Sequence, residues 1–421
     1  MKSSLKFTVL FILSVFGCQL FALHAQTPGC EGGQYLFVTP DAYNVPYRIP
    51  AITTTRCGDV IAVVDRRYCG ADIGYGRIDI VARTSHDNGV TWGADTVIQR
   101  GSGVAGAADC GYGDAAIVAD RTSDRVLCMS VTGNVAYING TRENPNRVAR
   151  WYGEKGGRCW TKAEDVTDDF YDMLPFTRTM FIGSGRLMQS RIVKLGKYYR
   201  VYCSVLTRTI KPDGSDVACN YVIYTDDFGQ SWAVLGGTTL DGNDSPCIGG
   251  DEPKVEELPN GDVVLSSRKH RGRYFNVFHF DNLRNNATVG RWDKCVASHD
   301  VREGITVGNN STNGEIYLVD AVETKSGRAV KLMLQSLPFG EGRERVGFWY
   351  KEIVPNGWYS SLAFAHKWTR GMEVTQKGSA YSTMTLQADG RIGFFYEEEP
   401  QWYSMVYVPL TISQITNGEY K

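Results

Sequence analysis

Histidine is scarce, six in 421 residues. None falls in an H-E-x-x-H array, and no two cysteines stand three apart. Neither zinc-binding spacing is therefore present. Long runs of one charge are missing too. Forty-five basic residues face 46 acidic ones, for a net charge of −1. Nucleic acid and membrane surfaces thus gain no support as partners. Beyond the first 25 residues no apolar stretch of useful length has the 3.6-residue helical period, which leaves strands to carry the fold. Gly101-Ser-Gly103-Val-Ala-Gly106 fits G-x-G-x-x-G, but no helix or βαβ unit follows, so it reads as a loop.

What is present begins with a leader. Lys2 and Lys6 precede an apolar run from Phe7 to Phe16, and Ala22-Leu-His-Ala25 supplies small residues before Gln26. This pattern predicts a signal peptide over 1–25, leaving 26–421 as one domain. No stop-transfer segment follows, so no transmembrane segment is expected in the mature chain. The expected location is periplasmic, cell-surface or secreted. Val15-Phe16-Gly17-Cys18 also offers a weak lipoprotein cleavage pattern. Of eleven cysteines, ten lie beyond the leader, an even number that permits disulfides in an exported chain. Cys203 and Cys219 flank Lys211-Pro-Asp-Gly214 symmetrically, and are expected to face each other across a hairpin.

One octamer is written twice. Residues 85–92 read SHDNGVTW and 225–232 read TDDFGQSW. Degenerate copies end at Trp160, Trp292 and Trp358, so tryptophans recur every 60–72 residues. A second feature keeps step with them: an apolar strand, a turn and another apolar strand. Its six copies span 47–65, 113–130, 187–205, 250–268, 315–335 and 380–398. Asn260-Gly261 and Asp389-Gly390 are strong hairpin signals, because glycine accepts positive φ cheaply. Six repeats of about four antiparallel strands predict an all-β fold, a six-bladed β-propeller. The octamer then reads as a structural staple in a turn. Its Asp and Ser/Thr bond local amides, its Gly takes the left-handed position, and its Trp packs outside the turn.

The register of the repeats gathers chemistry at one rim. Glu252 opens its unit and Arg268 follows 16 residues later; Tyr381 and Glu397 have the same spacing. Arg48 and Arg67 bracket the first unit, and Asp114 opens the second. In each unit the chain descends one strand, turns and returns, so opening and closing residues meet at one mouth. Several arginines at one mouth repel each other unless anions pair with them, and a planar guanidinium fork suits a carboxylate ligand.

These blocks resemble those of the bacterial exo-α-sialidases, or neuraminidases. The resemblance rests on Tyr47-Arg48-Ile49-Pro50, the two octamers (that family's Asp boxes), Asp65-Arg66-Arg67 with the loop through Asp72, and Ile78–Val81. Further blocks are Glu252-Pro253 with Leu258–Gly261 and Ser267-Arg268, then Gly342-Arg343, and Ala380–Ser382 through Phe395-Tyr396-Glu397. It runs from about residue 35 to 410. It implies that Arg48, Arg268 and Arg343 hold the substrate carboxylate and that Arg67 is a further pocket arginine. Asp72 would be the acid/base, Tyr381 the nucleophile, Glu252 its partner and Glu397 the brace of Arg48. Arg66 and Arg67 are adjacent, and the sequence leaves open which of them faces the pocket. A phenol nucleophile suits an anomeric carbon that carries a carboxylate, since it avoids the like charge of an Asp or Glu. Glu252 as base, with nearby arginines favouring phenolate, would activate it. The implied substrates are sialylated glycans, and the implied chemistry needs no cofactor or metal. Three alternatives stay open: a hydrolase for another 2-keto-3-deoxy sugar acid, a trans-sialidase, and a non-catalytic glycan-binding propeller. Linkage preference and oligomeric state stay open as well, a monomer being compatible with everything read here.

Overall fold

The computed structural model describes residues 27–211, 213–237, 245–283, 287–399 and 403–421. The expected leader over 1–25 lies outside the described residues. The described chain forms a six-bladed β-propeller of six separate sheets. Each of the six repeated units supplies the inner strands of one sheet. In the first blade Tyr47–Thr54 pairs with Val60–Arg67, then Ile78–Ser85 and Thr96–Gln99 follow outward. The last blade takes its outer strand from the other end of the chain. Gln34–Phe37 pairs with Ser404–Leu410, which closes the ring.

Burial explains why these strands read as continuous apolar runs. Along 60–64, Val60, Ala62 and Val64 pack against the sixth blade, with Phe395 and Tyr407. Ile61 and Val63 point the other way and pack against the second blade, with Ile117 and Trp151. Successive side chains of a strand alternate between faces. Both faces of a blade meet a neighbour, so both sets must be apolar. The six large core clusters all lie in this way between adjacent blades.

The octamers lie between the third and fourth strands of blades one and three. In the first, Asp87 accepts from the Thr91 amide at 2.8 Å and the Thr91 hydroxyl at 2.6 Å, and Ser85 Oγ accepts from the Gly89 amide at 2.8 Å. Asp227, Ser231, Thr225 and Gly229 repeat the pattern. Trp92 packs edge-on against Tyr407 of the sixth blade, 4.9 Å between ring centroids. Gly89 has φ +80°, and a Cβ there would collide with the Tyr407 phenol. The Gly89→Val protein should therefore be less stable by ~1–3 kcal/mol in denaturant unfolding, while its folded fraction keeps full activity per molecule. Unchanged melting with lost activity would place the octamer in the chemistry instead.

Three expectations need correction. Cys203 lies opposite Ile223, and Cys219 opposite Thr207. The loop is centred two residues further along than the symmetric reading assumed, since Ile210 pairs with Asp216. All ten described cysteines are free. Trp358 does not pack as a staple: it is 61% exposed and lies on His279, whereas Trp160 and Trp292 do pack against the core. In the third blade the inner strand is divided. Thr177–Ile182 and the two-residue Met188–Gln189 both pair with Val201–Ile210.

Candidate active site

β-Bulges place the rim residues. The register shifts between Arg48 and Ala51, between Gly113 and Ala116, and between Ser379 and Ser382. Each shift falls at the head of an inner strand and re-aims one side chain: Arg48, Asp114 or Tyr381. Ile49 and Asp114 take φ of +58° and +55°, an unfavourable region for a β-branched residue above all. Such strain persists only where the surroundings over-determine it. At Asp114 the Asp65 carboxylate does so, accepting from the Asp114 amide at 2.9 Å, and at Ile49 Glu397 does. Its buried carboxylate accepts from Arg48 Nε at 2.7 Å, from the Ile49 amide at 2.9 Å and from the Tyr381 amide at 3.0 Å.

These heads open into a cavity of about 360 Å³. On one wall Arg48, Arg268 and Arg343 surround Tyr381. The guanidinium carbons of Arg48 and Arg343 lie 5.8 and 5.5 Å from the Tyr381 ring centroid. Tyr381 donates its hydroxyl hydrogen to Glu252, both carboxylate oxygens lying at 2.8 Å. Arg268 donates to that carboxylate at 2.8 Å and to the phenol oxygen at 3.1 Å. Arg343 has no ion pair among the described residues. Arg345 turns outward to Glu373 at 2.7 Å.

Burial pushes the Tyr381 phenol well above the ordinary tyrosine range. Glu252 adds to that rise, and Arg268 and Arg343 oppose it without reversing it. The expectation that the arginines favour phenolate therefore fails for the free protein. The phenol keeps its proton, aimed at Glu252.

Asp72 lines the same cavity, on the loop between Arg67 and Ile78, with its side chain 72% exposed. Strand alternation sends Arg66 outward to Asp41, and Arg67 inward. Arg67 is 3% exposed and stands behind the pocket surface. It donates to Asp65 at 2.9 Å and to Asp72, and lies 3.8 Å from Asp114. Burial raises Asp65 to about 6 and Asp114 well above the usual carboxylate range, despite Arg67 beside them. Gly74 carries the Asp72 loop across Val135-Ala136, where φ is +102° and a Cβ would meet backbone.

The described pocket thus gathers Arg48, Asp72, Asp114, Glu252, Arg268, Arg343 and Tyr381, with Arg67 and Glu397 as supports behind them. Sequence reasoning missed the far wall of Tyr137, Ile138, Phe181 and Leu206, and also Asp251. Tyr137, Ile138 and Phe181 lie between the second repeat and the irregular third one, and Leu206 follows the third.

No family model matches the chain. A sialidase of Micromonospora viridifaciens is 30% identical over 263 residues, 58% of this chain and 37% of that protein. A sialidase of Paraclostridium sordellii is 24% identical over 287 residues, 61% of this chain and 64% of that protein. Over these segments the chain is similar to bacterial sialidases. It spans between about a third and two thirds of the length of these two sialidase relatives. The solved intramolecular trans-sialidase from Ruminococcus gnavus, in complex with oseltamivir carboxylate, superposes with a TM-score of 0.67. It is 16% identical, and the match covers 93% of this chain and 99% of that one. At that identity the likeness shows the sialidase propeller fold alone.

Proposed function

We propose that this protein is an exported exo-α-sialidase that removes terminal α-linked sialic acids from glycans with retention of configuration. The observation that carries the proposal is the Tyr381–Glu252 hydrogen bond at 2.8 Å under three arginines, one of them without a carboxylate partner. Arg343, Arg268 and Arg48 receive the sugar carboxylate, Arg343 offering a free bidentate fork. Asp72 protonates the leaving oxygen from the exposed side. The Tyr381 oxygen attacks the anomeric carbon while its proton passes to Glu252, so a free phenolate is never needed. This ordering suits a phenol held protonated by burial. Water then enters on the vacated side, Asp72 takes its proton, the tyrosyl bond breaks and Glu252 returns the proton to the phenol. Two displacements give net retention.

The test is incubation with an aryl α-sialoside, following released phenol and, by NMR, the sugar anomer. Turnover with free α-sialic acid formed first supports the proposal. A 2,7-anhydro product or a sialylated acceptor would replace hydrolysis by transfer. No turnover, with sialic acid bound, would leave a binding propeller. Export is tested by N-terminal sequencing of the mature protein, where a start at Gln26 is expected.

A further inference from the structure

The inner strands run from the active-site mouth to a second one. Tyr47–Thr54 starts beside Arg48 and ends at Thr53 and Thr54; Ser379–Leu386 starts beside Tyr381 and ends at Thr385 and Leu386. At ~3.3 Å per residue the two mouths lie roughly 20 Å apart. A paired layer separates them, with Lys254 on Glu315 at 3.3 Å and Arg186 on Glu256 at 2.7 Å. Beyond that layer a cavity of about 460 Å³ opens, with Arg121, Arg186, Arg191, Gln189 and Tyr317 in its lining.

The charges there do not balance. Arg186 and Arg191 share Glu256, each at 2.7 Å. Glu257 is already engaged, accepting from Ser190 and from the Arg191 amide. Burial pushes Glu257 up to about 7, so it carries less than a full charge at neutral pH. Arg121 is held differently. Its guanidinium lies 5.1 Å from the ring centroid of Tyr199, its backbone amide donates to Gln189, and it makes no ion pair among the described residues. Lys194 lies over the same ring, also at 5.1 Å and also without an ion pair among the described residues. An exposed arginine and a lysine thus share one aromatic platform at the lip of a concave, already cationic mouth. An unpaired guanidinium among paired ones is what Arg343 presents at the first mouth. Repulsion in such a concavity is relieved by an anion, which the guanidinium fork can hold by two parallel hydrogen bonds.

The structure assigns a second, non-catalytic anion-binding site to this mouth, with Arg121 as its free donor and a monosaccharide-sized oxyanion, a sugar carboxylate or a sugar sulfate, as its ligand. The cavity exceeds what an inorganic ion fills, and its threonine hydroxyls offer partners to sugar hydroxyls. Occupancy there would hold an anionic glycan without entering the hydrolytic pocket.

Calorimetric titration tests the site with N-acetylneuraminate and, separately, galactose 6-sulfate, on wild type and on Arg121→Ala. One binding event present in wild type is expected to vanish, or to weaken at least ~tenfold, in Arg121→Ala. Arg121→Lys should restore part of it, since charge remains but the fork is lost. The comparison counts events lost between the two proteins, so it holds even if the first mouth binds neither probe. Hydrolysis of an aryl sialoside by Arg121→Ala should be unchanged, because Arg121 touches nothing in the first pocket. The stronger of the two probes identifies carboxylate or sulfate as the ligand group. Identical isotherms for wild type and Arg121→Ala with both probes would overturn the assignment.

Discussion

Tyr381→Phe should lose at least ~10³-fold in kcat on an aryl α-sialoside, while still binding substrate. The substitution removes one oxygen and keeps the ring, which is 7% exposed and packed with Ile49 and Ala380. Folding should survive. The cost to the fold is confined to the hydrogen bonds of that oxygen, one to Glu252 and one from Arg268. These two residues remain paired with each other at 2.8 Å, so neither becomes an unpartnered buried charge. The arginines proposed to receive the substrate carboxylate are untouched. What disappears is the atom that, in the proposed mechanism, bonds the anomeric carbon. Any residual turnover should proceed by direct attack of water, with the released anomer inverted. Turnover within tenfold of wild type, with retention, would remove tyrosine from the nucleophile role and leave the sialidase reading standing without this mechanism.

Much of this site was legible because a propeller writes its architecture twice. Strands buried on both faces give apolar runs such as 60–64, and glycine turns such as Gly261 and Gly390, with φ of +93° and +83°, separate them. The same hairpins return the chain to its starting mouth, which is why Glu252 and Arg268, or Tyr381 and Glu397, could be placed together from spacing alone. What escaped depends on features that leave little trace in sequence. The bulges at Arg48, Asp114 and Tyr381 change strand parity without a marker residue. Cys203 missed Cys219 because the hairpin register is offset from the apparent symmetry of the turn. The arginines were counted around Tyr381, but its burial was not, and burial wins. Phe181 and Leu206 come from the third blade, which breaks its own repeat, and Tyr137 comes from the connection between two strands of the second blade.

Arg343→Ala should lower kcat/KM by roughly 30–1000-fold, the ~2–4 kcal/mol expected when a desolvated charge pair loses one member. Arg343 gives a cleaner test than Arg268. Removing Arg268 would strip Glu252 of its partner and free its proton relay with Tyr381, so lost recognition and lost chemistry would be mixed. Arg343 makes no ion pair among the described residues, so its removal leaves no carboxylate unpaired. The loss should therefore read as recognition, with KM raised and melting unchanged. Arg343→Lys should not rescue, because an ammonium cannot supply two parallel donors to one carboxylate. The neighbour two residues on supplies the control. Arg345 is committed to Glu373 through bonds of 2.7 and 2.9 Å, just ahead of the strand Val346–Ile353. Its alanine variant should hydrolyse normally, with a stability cost of ~1 kcal/mol at most for an exposed pair. If Arg343→Lys kept near-normal kcat/KM while Arg345→Ala abolished it, the third arginine would be Arg345, and the segment ahead of Val346 would have to turn the other way in solution.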